Sequence, residues 1–179
     1  MSSAPSHRLS QVVHDLPPSG IRRFFDLVLS MDDVISLGVG EPDFDTPWHI
    51  REMAVFALEK GYTSYTSNRG MLPLREAIAE YLAATHSLSY APDEDILVTV
   101  GVSEAMDLVM RAVLNPGDEV IVPTPCYVSY APTVTLAGGV PVTVPLWDAP
   151  GFTLTPDALS AAITPKTRML VLNYPCNPT

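Results

Sequence analysis

The chain has 179 residues, 47% of them hydrophobic, with 10 basic and 20 acidic side chains and a net charge of −10. This length and apolar content suit one domain with a real core, or one domain with an appendage. The acidic balance argues against a nucleic-acid partner, whose affinity rests on Lys and Arg. No run approaches the ~20 apolar residues of a membrane helix. The polar start, Met1 to Gln11, does not read as a signal peptide, which points to a cytoplasmic protein.

In chain order, residues 1–18 read as an arm of Ser, His and Pro without periodicity. Apolar residues at Ile21, Phe24, Phe25, Val28 and Leu29 have the spacing of an amphipathic helix. A short strand, Val34 to Leu37, leads into Gly38-Val39-Gly40-Glu41-Pro42. Thr46 is expected to cap a helix with Pro47 at its first position, running to Lys60 and stopping at Gly61. A polar loop, Tyr62 to Gly70, follows, and another helix starts near Pro73 with Leu74, Ile78, Tyr81 and Leu82 on one face.

A rhythm of short apolar strands and helices then sets in. Ile96–Val100 is predicted as a strand, Ser103–Leu114 as a helix and Asn115-Pro116-Gly117-Asp118 as a turn. Val120–Val122 is a strand and a helical stretch starts near Val128. Val140–Val144 is a strand whose Pro141 suggests an edge, Thr155-Pro156 opens a helix, and Met169–Leu172 is the last strand. This alternation predicts an α/β fold, a mostly parallel sheet flanked by helices. The chain stops at Thr179 inside a loop just after a strand, which suggests a piece of a larger α/β domain.

Candidate chemistry lies where strands end. Val100-Gly101-Val102-Ser103-Glu104 is a Gly turn opening a helix, which by pattern alone reads first as an ordinary Ser cap and second as a cradle for an anion. Neither a dinucleotide fingerprint nor a P-loop is present. In Pro123-Thr124-Pro125-Cys126-Tyr127, the Tyr could stack on a flat ring or simply pack. Cys126 and Cys176 read as reduced, partly buried structural thiols. In Asn173-Tyr174-Pro175-Cys176-Asn177-Pro178-Thr179, X-Pro steps stiffen a loop that could hold the Asn177 amide at a ligand, or form a plain turn. Gly38 to Pro47 is a further candidate, or a surface loop. His7, His14, His49 and His86 share no spacing, so no metal site is proposed.

The chain resembles the class I/II aminotransferases, the fold-type I pyridoxal-phosphate-dependent enzymes. The resemblance runs from about Gly20 to Thr179. It rests on Gly38 to Pro47, Tyr62-Thr63-Ser64-Tyr65, Gly70 to Arg75, Asn115 to Val120 and Asn177-Pro178-Thr179. It implies an N-terminal arm and part of a small domain over 1–45, and an incomplete cofactor-binding large domain over 46–179.

By that resemblance, the backbone N–H groups of Val102, Ser103 and Glu104 meet the phosphate of pyridoxal 5'-phosphate. Tyr127 stacks on the cofactor ring, in a place where many members carry Trp. Asn177 donates to the cofactor's phenolic oxygen, and Tyr65 reaches across a homodimer interface to the partner's cofactor phosphate. The Gly40 N–H meets the substrate carboxylate, and Cys176 replaces a residue that is often Asn or His.

The activity implied is amino-group transfer from an amino acid to a 2-oxo acid. A C–S β-lyase or synthase of the same fold, or a non-catalytic ligand-binding remnant, would share these motifs. The family's Schiff-base lysine is expected beyond Thr179. Lys60 and Lys166 are the only lysines and neither has the family setting, so the chain alone is expected to be inactive.

Overall fold

The computed structural model describes residues 8–18, 20, 24, 27, 28, 31, 35, 42–149 and 151–179. The helix expected from Ile21 and the strand Val34 to Leu37 fall largely outside them, as do Gly38, Val39, Gly40 and Glu41. The chain forms two compact units, Gly20–Thr99 and Val100–Thr179, the latter with Met1–Ser19. In chain order the elements are α1 (Gln11–Asp15), α2 (Trp48–Glu59), α3 (Leu72–His86), α4 (Gly101–Val113), β1 (Glu119–Thr124), α5 (Tyr130–Leu136), β2 (Val140–Pro145), α6 (Pro156–Ala162) and β3 (Thr167–Leu170).

In the unit Gly20–Thr99, α2 begins one residue later than expected. Pro47 is its N-cap, with extended backbone, and Thr46 makes no side-chain cap to it. Gly61, with φ +75°, ends that helix as its glycine predicts. In α3 the buried residue is a cation: Arg75 is 4% exposed. Its guanidinium donates to the carbonyls of Gly70 and Pro92 and lies 3.3 Å from an Asp93 carboxylate oxygen. One side chain thereby ties the end of the 62–70 loop to the turn around Asp93.

The segment Ile96–Val100, expected as a strand, is not one. Ladder pairing needs a neighbouring strand, and here the Val98 N–H donates to the Arg69 carbonyl without extending into a ladder among the described residues. Gly70, with φ +93°, permits this approach: a Cβ there would stand 2.6 Å from Val98 Cβ.

The unit beginning at Val100 carries the sheet, in the order β2-β1-β3 with both pairings parallel. In β1 the run Val120, Ile121 and Val122 is fully buried, as expected of a central strand covered on both faces. Val120 and Val122 join Met110 of α4, Leu114 just after it and Val134 of α5 in one cluster, while Ile121 points to the opposite face. Each such side chain contributes about 1.5–3 kcal/mol of burial. Pro141 lies on β2, an outer strand of the described sheet, as its missing N–H suggested.

Sequence-local chemistry sets the connections. Thr155 caps α6, its hydroxyl accepting from the Ala158 N–H at 3.2 Å. In the turn before β1, Gly117 has φ +88° and the Asp118 carboxylate accepts from the Asn115 N–H at 2.9 Å. β1 and β3 part after Ile121↔Leu170, with one more bond from the Val171 N–H to the Ile121 carbonyl. Pro123 lies past that point, where no N–H is demanded on the β3 side. The strand ends at this splayed margin lead into the candidate site.

Candidate cofactor site

Parallel sheets gather ligands at the C-terminal ends of their strands, where loops diverge. Here the loop after β1, the loop after β3 and the start of α4 enclose a cavity of about 420 Å³. Val102, Ser103 and Met106 of α4 form one wall. Tyr127, Ser129, Tyr130 and Thr133 form a second, and Asn173 and Asn177 a third. The volume lies in the range of cofactor and small-molecule sites, about 300–1,000 Å³.

None of the lining residues is charged. Polarity comes from hydroxyls, two amides and the N-terminus of α4, whose first N–H groups have no intrahelical acceptors and lie at the positive end of the helix dipole. No side chain caps that terminus through its N-cap residue, Val100. The Glu104 carboxylate instead turns back to accept from the Val100 N–H. It stands outside the cavity lining and satisfies a donor of the Gly101 turn. Gly101 has φ +73°, a conformation that disfavours any residue with a Cβ.

Tyr127 is 39% exposed, and Tyr130 meets it edge-on at 5.8 Å between ring centres and 73° between planes. That contact orients the Tyr127 ring and leaves part of it open to stacking. Burial, then the nearby Cys126, Cys176 and Tyr127, push the Tyr130 phenol up, so it stays a neutral donor. The Thr133 hydroxyl is committed to the Ser129 carbonyl at 2.7 Å. Burial, and Cys176 beside it, raise the Cys126 thiol. Both cysteines are free thiols in this structure.

Of the residues expected at the cofactor, Val102, Ser103, Tyr127 and Asn177 line this one cavity. Tyr65 belongs to the other compact unit and is fully exposed on its loop, and Gly40 lies outside the described residues. Met106, Ser129, Tyr130, Thr133 and Asn173 were not singled out from sequence. Met106 follows Ser103 by three residues on α4, and Thr133 follows Tyr130 by three on α5, so helical spacing carried part of the signal. Among the described residues, no group of His, Cys, Asp or Glu could hold a metal. No helix there is long and apolar enough to cross a membrane.

A flat aromatic group bearing an anion fits this set: hydroxyls and a helix N-terminus for the anion, Tyr127 for the ring and amides for ring substituents. Residues 32–179 match the family described as aminotransferase class I and II. The chain belongs to that family, whose members are pyridoxal-phosphate-dependent.

It is 52% identical over 171 residues to a putative aminotransferase, YugH, of Bacillus subtilis (strain 168), covering 96% of this chain and 44% of that protein. It is 51% identical over 162 residues to an aspartate aminotransferase of Pyrococcus abyssi, covering 90% and 42%. Among solved structures, the aspartate aminotransferase from Thermus thermophilus with maleate superposes with a TM-score of 0.88 at 43% identity, covering 96% of this chain and 46% of that one. The aromatic aminotransferase from Pyrococcus horikoshii OT3 does so with a TM-score of 0.80 at 50% identity, covering 89% and 42%. The chain thus spans less than half the length of these relatives.

Proposed function

We propose that this chain supplies the phosphate- and ring-binding part of a pyridoxal-phosphate-dependent amino-acid aminotransferase. Such an enzyme moves an amino group from an amino acid to a 2-oxo acid. The observation that carries this reading is the convergence of Val102, Ser103, Tyr127 and Asn177, from three separate chain segments, on one uncharged cavity. The relatives named for aspartate and aromatic amino acids favour amino-group transfer over a lyase or synthase reaction.

When bound, the cofactor supplies an electron-withdrawing ring that takes up charge from the substrate's α-carbon. The chain's own residues bind and orient. The N–H groups of Val102, Ser103 and Glu104 and the Ser103 hydroxyl hold the phosphate. Tyr127 covers one ring face, and the Asn177 amide donates to the ring oxygen. Gly40 presents its N–H to the substrate carboxylate. Tyr65, exposed on its loop, reaches a second copy in a homodimer. In this reading residues 46–179 belong to the cofactor-binding domain and 1–45 to the arm and small domain.

Neither lysine lines the cavity. Lys166 precedes β3, at the strand end opposite the cavity, and Lys60 holds its ammonium 5.5 Å from the centre of the Phe56 ring. Proton transfer at the substrate therefore needs a base other than these two lysines.

Titrating the purified chain with pyridoxal phosphate, followed by intrinsic fluorescence, tests the reading. Saturable binding that Ser103→Ala and Asn177→Ala each weaken is expected, without transaminase turnover. Absence of saturation, with the chain folded by circular dichroism, would count against it.

A further inference from the structure

Each of the two cysteines stands immediately before a residue of the cavity wall: Cys126 before Tyr127, and Cys176 before Asn177. They come from different loops, after β1 and after β3, and the fold brings them together. The Cys176 thiol reaches the Pro125 carbonyl oxygen at 3.7 Å, the oxygen of the peptide that enters Cys126. Across a trans peptide that oxygen lies about 2.8 Å from the next Cα. The Cys176 sulfur is thus within about 6.5 Å of Cys126 Cα, given that 3.7 Å contact. Joining the two sulfurs takes side-chain rotation and a loop shift that sets the two Cα atoms about 4.4–6.8 Å apart.

Access is built in as well. Both thiols line a second, smaller hollow of about 30 Å³ at the margin where β1 and β3 part. A water-sized molecule needs about 10–15 Å³ of such space. Both cysteines are half-buried and free, and no metal-holding group of residues claims them among the described residues.

We propose that Cys126 and Cys176 form an oxidisable thiol pair, converted by a peroxide-class oxidant into an intramolecular disulfide that ties together the loops carrying Tyr127 and Asn177. One thiolate attacks a peroxide oxygen, the O–O bond breaks, hydroxide leaves and a sulfenic acid remains. The second thiolate attacks that sulfur, the S–S bond forms, and the sulfenic oxygen leaves as hydroxide. The two thiol protons convert the two hydroxides to water. Two thiols are oxidised by two electrons and one hydrogen peroxide is reduced to two waters.

The test treats the purified, reductant-free chain with hydrogen peroxide at low protein concentration, then alkylates remaining thiols and digests without reduction. The expected result is a peptide pair joined through Cys126 and Cys176, an intact mass lower by two hydrogen atoms, and recovery of both thiols with dithiothreitol. Cys176→Ser is expected to abolish the linked pair. Two alkylatable thiols after treatment, separate sulfinic acids, linkage only between chains, or a two-hydrogen loss that persists in Cys176→Ser would overturn the proposal.

Discussion

Arg168 on β3 holds its guanidinium Nε 3.4 Å from the Asp118 carboxylate, which sits in the turn before β1. The same carboxylate accepts from the Asn115 N–H and its side-chain amide. The Asn115 backbone bond is the largest influence lowering the Asp118 carboxyl below its ordinary value, with the Asn115 amide and Arg168 adding to it. A carboxylate lowered in the folded state stabilises above its unfolded value, near pH 4, and that contribution is lost as pH falls through the lower folded value. Thermal melts from pH 7 to pH 3 should show the native chain losing more stability on acidification than Asp118→Asn. Parallel curves would remove Asp118 from the acid response.

Gly139, just before β2, is predicted not to tolerate a methyl group. A Cβ there would stand 2.8 Å from Leu114 Cδ1, 3.0 Å from Val134 Cγ1 and 3.2 Å from the Asp118 carbonyl oxygen. Two of those atoms belong to the packed core and one to backbone, so neither side yields easily. Gly139→Ala is expected to cost about 1–3 kcal/mol by urea unfolding. Gly151→Ala supplies the contrast: nothing lies within 4 Å of its Cβ, and only its φ of +74° opposes the change.

The Arg75–Asp93 pair is lopsided, with side chains 5% and 75% exposed. Removing the exposed Asp93 by Asp93→Ala should cost no more than about 1 kcal/mol. Arg75→Met should cost more, about 1–3 kcal/mol, because it also strips donors from the Gly70 and Pro92 carbonyls. Arg75→Lys should not restore the loss, since an ammonium cannot reproduce the planar fork. Equal denaturation midpoints for Arg75→Met and Asp93→Ala would refute this ordering.

Tyr127 should matter for its ring and not for its hydroxyl. Stacking of this kind is worth about 0.5–1.5 kcal/mol, a two- to tenfold change in affinity for a flat aromatic ligand. Tyr127→Phe should bind pyridoxal phosphate as the native chain does, and Tyr127→Ala should bind it that much more weakly by fluorescence titration. A loss equal in both variants would shift the role to the phenol oxygen.

Local chemistry was legible wherever a few neighbouring residues decide the outcome. Thr155-Pro156 announces a capped helix because hydroxyl, N–H and proline geometry all act within one turn. Val120-Ile121-Val122 announces a covered strand because only such a strand tolerates consecutive buried β-branched residues. Legibility failed where a partner was needed. Ile96–Val100 has strand composition yet no ladder among the described residues, and Thr46 makes no cap because Pro47 itself takes the N-cap place in extended conformation.

The sequence by itself determined the α/β alternation and the turn at Asn115–Asp118. Each follows from periodicity or from contacts within a few positions. Tertiary structure alone decided that Ser103, Tyr127 and Asn177 share one cavity with Met106, Thr133 and Asn173. It also decided that Glu104 turns back to the Val100 N–H, and that Cys126 and Cys176 share one hollow. The physical reason is strand order: β3 lies beside β1 and not beside β2, so loops distant in sequence end side by side.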